Sequence, residues 1–122
     1  MTEKRSMDQE FIKKLIDILE INLENENFVV IELASEAGLS RSQLHRKLHE
    51  INGKSTSQFI REYRLEKAME MLKLNSGTAS EIAYRVGFTS PTYFNTCFHN
   101  FYGYPPGEVK FQKAIVPPKK TF

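Results

Sequence analysis

Two stretches of this chain repeat one another, and each carries the punctuation of a helix-turn-helix. The first is ELASEAGLSRSQLHRKLHEING, from Glu32 to Gly53; the second is EIAYRVGFTSPTYFNTCFHNFYG, from Glu81 to Gly103. Glu32, Leu33, Ala34, Gly38 and Leu39 recur 49 positions later as Glu81, Ile82, Ala83, Gly87 and Phe88. After one inserted residue the offset becomes 50, and Leu44, Leu48, Ile51 and Gly53 recur as Phe94, Phe98, Phe101 and Gly103. A chain built this way makes one supersecondary unit twice, so its fold is constrained to two similar heads and whatever joins them.

The rest of the pattern is helical, and no stretch shows sustained strand alternation, so the expected class is all-α. An amphipathic helix is predicted from about Met7 to Asn25, with Phe11, Leu15, Ile18, Leu19 and Leu23 on one face and Ser6 and Gln9 as its capping box. A short helix follows at Val30–Ala37, with Val29 where a Ser or Thr cap is expected, and Gly38 breaks it. Ser40 and Gln43 form a second capping box for a helix reaching about Asn52, and Ser55 with Gln58 a third. The third box launches the longest helix, through about Leu74, with a buried stripe of Phe59, Tyr63, Leu65, Ala68, Met69 and Leu72. Thr78 and Glu81 cap a short helix that ends at Gly87. Ser90 followed by Pro91 opens another, stopped by Gly103. A seventh helix is expected from Pro105–Pro106 to Lys113, and the tail after it is expected to be flexible.

At 122 residues the chain has room for one domain or two very small subdomains sharing a helix. Hydrophobic residues at 40% and charged residues at 26% exclude disorder throughout. No apolar run approaches the roughly 18 residues that span a bilayer, and the start MTEKRSMDQE is too polar for a signal peptide. The expected location is therefore cytoplasmic, with no membrane partner; one cysteine, Cys97, suits a reducing compartment. The net charge of +2 says little, but its distribution says more. Met1–Glu36 carries four Lys/Arg against nine Asp/Glu, whereas Arg41–Lys67 carries seven against three and two histidines besides. The cationic band thus covers the first repeat and the segment after it, as a phosphate-facing surface would require.

Helical spacing sorts each repeat into two faces. Between Ser40 and Asn52 the apolar positions are Leu44, Leu48 and Ile51, which leaves Ser42, His45, Arg46 and His49 as one polar stripe opposite. Arginine in such a stripe can pair with guanine O6 and N7, the commonest specific major-groove contact. Arg41 at the helix entrance and Lys47 and Lys54 at its flanks suit phosphates. In the second copy Phe94, Cys97, Phe98 and Phe101 are expected to face the core, and the stripe opposite is Thr92, Asn95, Thr96 and His99. Asparagine can read adenine and threonine can offer a methyl to thymine, while Ser90 can donate to a phosphate. The second stripe has no Lys or Arg, so the second head is expected to bind more weakly. The connecting helix, about 19 residues at roughly 1.5 Å each, is about 28 Å long. Successive major-groove faces recur every roughly 34 Å, so two heads flanking it can address adjacent grooves.

Competing readings of the same residues are weaker. His45 and His49 have metal-ligand spacing, but no nearby third ligand completes a site, so no metal and no cofactor are expected. Cys97 lies among phenylalanines and reads as a structural thiol, and the aromatics of Tyr93–Tyr104 read as core packing rather than a stacking platform for bases. Glu81 is accounted for as a cap. No Gly-rich phosphate loop, Ser-His-Asp order or paired catalytic carboxylates stand out, so the chain is not expected to be an enzyme.

The blocks LASEAGLSRSQLHRKLHEINGKS, FIREYRLEKAMEML and SEIAYRVGFTSPTYFNTCFHNFYGYPP together resemble the AraC/XylS-type DNA-binding domain of bacteria, over about Asp8 to Lys113. The resemblance implies seven helices: a first helix-turn-helix subdomain at residues 7–54, a linker helix at 55–74, a second subdomain at 75–113 and a tail at 114–122. It implies sequence-specific binding of double-stranded DNA in transcription regulation, with RNA polymerase as a further partner. The family's base-reading positions fall on Ser42, His45 and Arg46, and on Thr92, Asn95 and Thr96. Many members carry a basic residue where this chain has Thr96, and lysines at His99 and Asn100. The family usually attaches this domain to a sensory or dimerising domain, which makes the chain a stand-alone regulator or the output end of a longer one. YFNTCF and the style of the N-terminal helix also resemble output domains of hybrid sensor-kinase regulators. The alternative to DNA binding is a helical protein–protein interaction module, suggested by the acidic first helix and the non-basic second head.

Overall fold

A computed structural model describes residues 2–111. Among them are six α-helices and no strand: α1 (Thr2–Ile21), α2 (Val30–Glu36), α3 (Arg41–Asn52), α4 (Thr56–Lys73), α5 (Ala79–Arg85) and α6 (Pro91–Tyr102). The all-α class holds. A 3-10 helix, Pro106–Phe111, replaces the last expected α-helix. Its Glu108 N–H donates to the Pro105 carbonyl three residues back at 3.0 Å, the tighter 3-10 pattern favoured in so short a segment. The expected end of that element at Lys113 and the tail 114–122 lie outside the described residues.

Helix starts follow the capping boxes. The Gln43 N–H donates to Ser40 Oγ at 3.1 Å while the Ser40 N–H donates to Gln43 Oε1 at 2.9 Å. Thr78 and Glu81 make the same reciprocal pair at 2.8 and 3.1 Å. The Gln58 N–H donates to Ser55 Oγ at 3.1 Å. Val29 has no side-chain oxygen to offer, yet Glu32 Oε1 accepts from the Val29 N–H at 3.0 Å, so half of a box closes there too.

The first helix departs from expectation at both ends. It begins at Thr2, so Ser6 and Gln9 lie inside it and cap nothing. Good helix formers and Glu3 in the first turn extend it upstream. It stops at Ile21 because the Asn22 side chain donates to the Ile18 carbonyl at 2.8 Å, a bond that competes with the next backbone turn.

The chain divides into two compact units within α4: Met1–Leu23 with Asn27–Ile60, and Glu24–Glu26 with Arg61–Phe122. In the first unit Leu15, Leu33, Leu44, Leu48 and Phe59 are fully buried. In the second, Phe98 is the centre of the packing, with ring centroids 5.6 Å from Phe94, 4.6 Å from Tyr102 and 6.3 Å from Tyr104. The repeat is a repeat of core positions: Leu33 and Ile82, Ala34 and Ala83, Leu44 and Phe94, Leu48 and Phe98 are all buried. It is also a repeat of helix stops. Gly53 and Gly103 have φ of 74° and 90°, and their N–H groups donate to the carbonyls of His49 and His99 at 2.9 and 2.8 Å.

Candidate nucleic-acid interface

In the first unit the candidate surface is set by the two ends of α3. Ser40 and Gly53 fix where the helix starts and stops, and burial of Leu44 and Leu48 fixes its rotation. That rotation puts Ser42, His45, Arg46 and His49 in solvent together, as the spacing predicts. The His45 and His49 rings stack with centroids 6.1 Å apart. Arg41 is exposed in the first helical turn. Lys47 is exposed but turned toward α1, where its Nζ sits 4.5 Å from the Phe11 ring centroid. A groove of about 480 Å³ separates these two helices, lined by Arg46, Lys47 and Glu50 on α3 and by Glu3, Lys4 and Asp8 on α1.

Lys54 departs from the expected surface position. It is only 5% exposed, and it interacts within the folded chain, so it does not stand with Arg41 and Lys47 as a phosphate-facing cation. The reason is its place just after the Gly53 stop, where its N–H donates to Asn52 Oδ1 at 3.1 Å and the chain turns back before α4.

In the second unit α6 is started by Ser90 and Pro91 and stopped by Gly103. Thr92, Asn95, Thr96 and His99 are exposed on one side of it. Thr96 Oγ1 donates to the Thr92 carbonyl at 3.2 Å, which ties its hydroxyl to the helix and turns the choice of rotamer. The Ser90 oxygen accepts from the Tyr93 N–H at 3.0 Å, so its hydroxyl serves as a cap and keeps only its O–H as a donor.

Tyr93 and Cys97 lie elsewhere than the spacing predicts. Tyr93 is not core: it is half exposed, with its ring against Phe88 at 5.8 Å. Cys97 is half-buried rather than enclosed by phenylalanines, and lines a groove of about 480 Å³ between α4 and α6. Both lie on the flank of α6 between its core face and its polar stripe, where a periodicity argument assigns them to the wrong side by one position. Tyr93 hydrogen-bonds to Cys97, which pushes its phenol above the ordinary range, and the Arg61 guanidinium from α4 pulls the other way. Neither Arg61 nor Tyr93 belongs to the stripes that the spacing predicts.

Among the described residues no group of three or more His, Cys, Asp or Glu is placed to hold a metal ion. No helix among them is long and apolar enough to cross a membrane.

Similarity to known proteins bears on this surface directly. The family model for a helix-turn-helix domain matches residues 33–112, which takes in both stripes. A histidine kinase of Formosa agariphila is 37% identical over 103 residues, covering 84% of this chain and 8% of the kinase. The HTH-type transcriptional regulator GadX of Escherichia coli is 30% identical over 118 residues, covering 88% of this chain and 43% of GadX. The chain thus spans less than half the length of either relative. Among solved structures, a transcriptional regulator from Chromobacterium violaceum with an AraC-type DNA-binding domain aligns with a TM-score of 0.78 at 27% identity, over 92% of this chain and 99% of that one. The chain belongs to the AraC-type helix-turn-helix family of transcription regulators, which is not an enzyme class.

Proposed function

We propose, from this family membership, that the chain reads a specific double-stranded DNA site in transcription control, with α3 and α6 as recognition helices entering adjacent major grooves. The observation that carries the reading is the α3 stripe: Ser42, His45, Arg46 and His49 stand exposed on a helix whose opposite face, Leu44 and Leu48, is wholly buried. Arg46 pairs with a guanine edge, Ser42, His45 and His49 read or orient beside it, and Arg41 and Lys47 meet phosphates. On α6, Asn95 suits adenine and Thr92 and Thr96 the thymine methyl, with His99 alongside and Ser90 donating to a phosphate. Residues 7–54 and 75–113 are the two reading subdomains, and 55–74 the helix between them. At 18 residues α4 is about 27 Å long.

The GadX likeness and the small share of the histidine kinase that aligns support placing this domain at the output end of a larger cytoplasmic regulator with a sensory or dimerising part. RNA polymerase is the partner expected of an activator. The test is selection of binding sites from random duplexes of about 30 base pairs. Two enriched elements about one turn apart, the first lost with Arg46→Ala, support both heads. One element alone limits base reading to the first head. No enrichment turns the reading to a helical protein-interaction module, which an α6 stripe without Lys or Arg would then suit.

A further inference from the structure

The second head carries a charge deficit at its recognition surface. Phosphate contacts supply a large share of the affinity of a DNA-binding module, yet Thr92, Asn95, Thr96 and His99 include no Lys or Arg. The grooves in the two units show where the charge has gone. On α3 the groove is lined by Gln43, Arg46, Lys47, Glu50 and Ile51. On α6 it is lined by Tyr93, Thr96, Cys97, Asn100 and Phe101, the same five positions shifted by 50. Two cations of α3, Arg46 and Lys47, are therefore matched on α6 by the neutral Thr96 and Cys97. Across the α6 groove α4 presents an arginine, Arg61.

Other cations described in this unit are placed differently. Arg64 Nη2 donates to the Asn25 carbonyl at 3.1 Å, and Arg85 Nη1 to the Ser76 carbonyl at 2.9 Å. Lys67 pairs with Glu70 at 3.6 Å. Lys73 ends α4, and Lys110 lines a separate hollow beside the start of α5. Glu62, the acidic residue of the α6 groove, is 5% exposed, so the charge the groove presents outward is that of Arg61. Arg61 is half-buried: its stem packs and its planar head reaches the Tyr93 side chain at the edge of the polar stripe.

We infer that Arg61, on the supporting helix, anchors the second head to a DNA backbone phosphate beside Tyr93, supplying the cation that α6 lacks. This rests on the duplex-DNA reading above. Each phosphate contact contributes about 0.9 to the slope of log affinity against log salt. Between 50 and 200 mM salt, the advantage of the unaltered protein over Arg61→Gln therefore shrinks by roughly 3.5-fold. Arg61→Lys keeps the slope.

The experiment is a fluorescence-anisotropy salt titration with a 30-base-pair duplex carrying the selected site, alongside phosphate-ethylation interference. Ethylation of one phosphate in the second-head half is expected to weaken the unaltered protein and to leave Arg61→Gln indifferent. An unchanged slope and interference pattern in Arg61→Gln overturns the inference, and with it the use of this groove for DNA rather than for a protein. If Arg61→Gln also melts lower, the slope still decides, because a merely structural role lowers Arg61→Gln and Arg61→Lys in melting without removing an ion from the slope. Binding that depends on Arg46 but not on Arg61 leaves the DNA reading intact; no duplex binding by the unaltered protein ends both.

Discussion

Lys54 and Arg46 look alike in the sequence, two cations eight residues apart in the basic band, and the structure separates them. Arg46 is exposed on the α3 stripe, while Lys54 is 5% exposed and interacts within the fold. Lys54→Ala removes three buried methylenes and an ammonium. At about 0.8 kcal/mol per methylene, the lost burial alone is about 2.4 kcal/mol. For a domain of this length that lowers the melting temperature by about 10 °C. Its effect on the salt slope of DNA binding is expected to be nil. Lys54→Met, which keeps an apolar stem, should recover much of the loss. Arg46→Ala should behave in the opposite way, weakening the selected site by roughly 1–3 kcal/mol with a melting change within about 0.5 kcal/mol. Far-UV circular-dichroism melts and anisotropy titrations from 50 to 200 mM salt measure the two axes separately. If Lys54→Ala melts like the unaltered protein and loses about one unit of slope, its ammonium lies on the DNA and the separation by burial is wrong.

Two further substitutions test the fold that holds the interface. Gly103→Ala should cost about 1–2 kcal/mol in chemical denaturation, because φ is 90° while nothing lies within 4 Å of an added Cβ; Gly107→Ala, equally open and without the positive φ, is the control and should be near neutral. Glu81 accepts from the Thr78 backbone N–H and hydroxyl, which hold its carboxyl below the ordinary value of 4.5. A carboxyl depressed in the folded state stabilises fully above its unfolded pKa and loses that contribution as pH falls through the lower folded value. The melting gap between the unaltered protein and Glu81→Gln should therefore be open at pH 6 and close toward pH 3; a gap that stays constant would show that the charge contributes nothing.

Fold and interface were legible to different depths, for physical reasons. Capping and stopping are local, so Ser40, Ser55, Thr78, Ser90, Gly53 and Gly103 could be assigned from neighbours three or four residues away. The stripes on α3 and α6 followed from period alone, because Leu44, Leu48, Phe94 and Phe98 are all buried and fix the helix rotation. Flank positions escaped. Tyr93 and Cys97 lie at the edge of the core face, where burial depends on what the neighbouring helix presents, and Lys54 lies in a turn that has no period. The early start of α1 also escaped, since Ser6 has capping chemistry but no helix end to cap. Cross-helix neighbours are non-local, and so Arg61 beside Tyr93 could not be read from spacing.

The two copies share a scaffold and differ in where charge is mounted, and that difference carries the functional argument. Leu33 and Ile82, Ala34 and Ala83, Leu44 and Phe94, and Leu48 and Phe98 are buried in pairs, so each head can hold its helix at the same rotation over its own core, although Leu39 and Ile51 are half-buried where Phe88 and Phe101 are buried. What is free to vary is the outer stripe and its flank. On α3 the exposed stripe itself carries a cation, Arg46. On α6 the stripe has no Lys or Arg and its Thr96 hydroxyl is already bonded to the Thr92 carbonyl, while Arg61 on α4 lines the groove beside it. A cation that meets a base edge can discriminate sequence, whereas one that meets only phosphate positions the protein without reading it. Substitutions in the two heads should therefore separate by their effects on base preference and on salt dependence. Arg46→Ala changes which sequence is preferred, whereas Arg61→Gln weakens every sequence by a similar factor and leaves the preference alone.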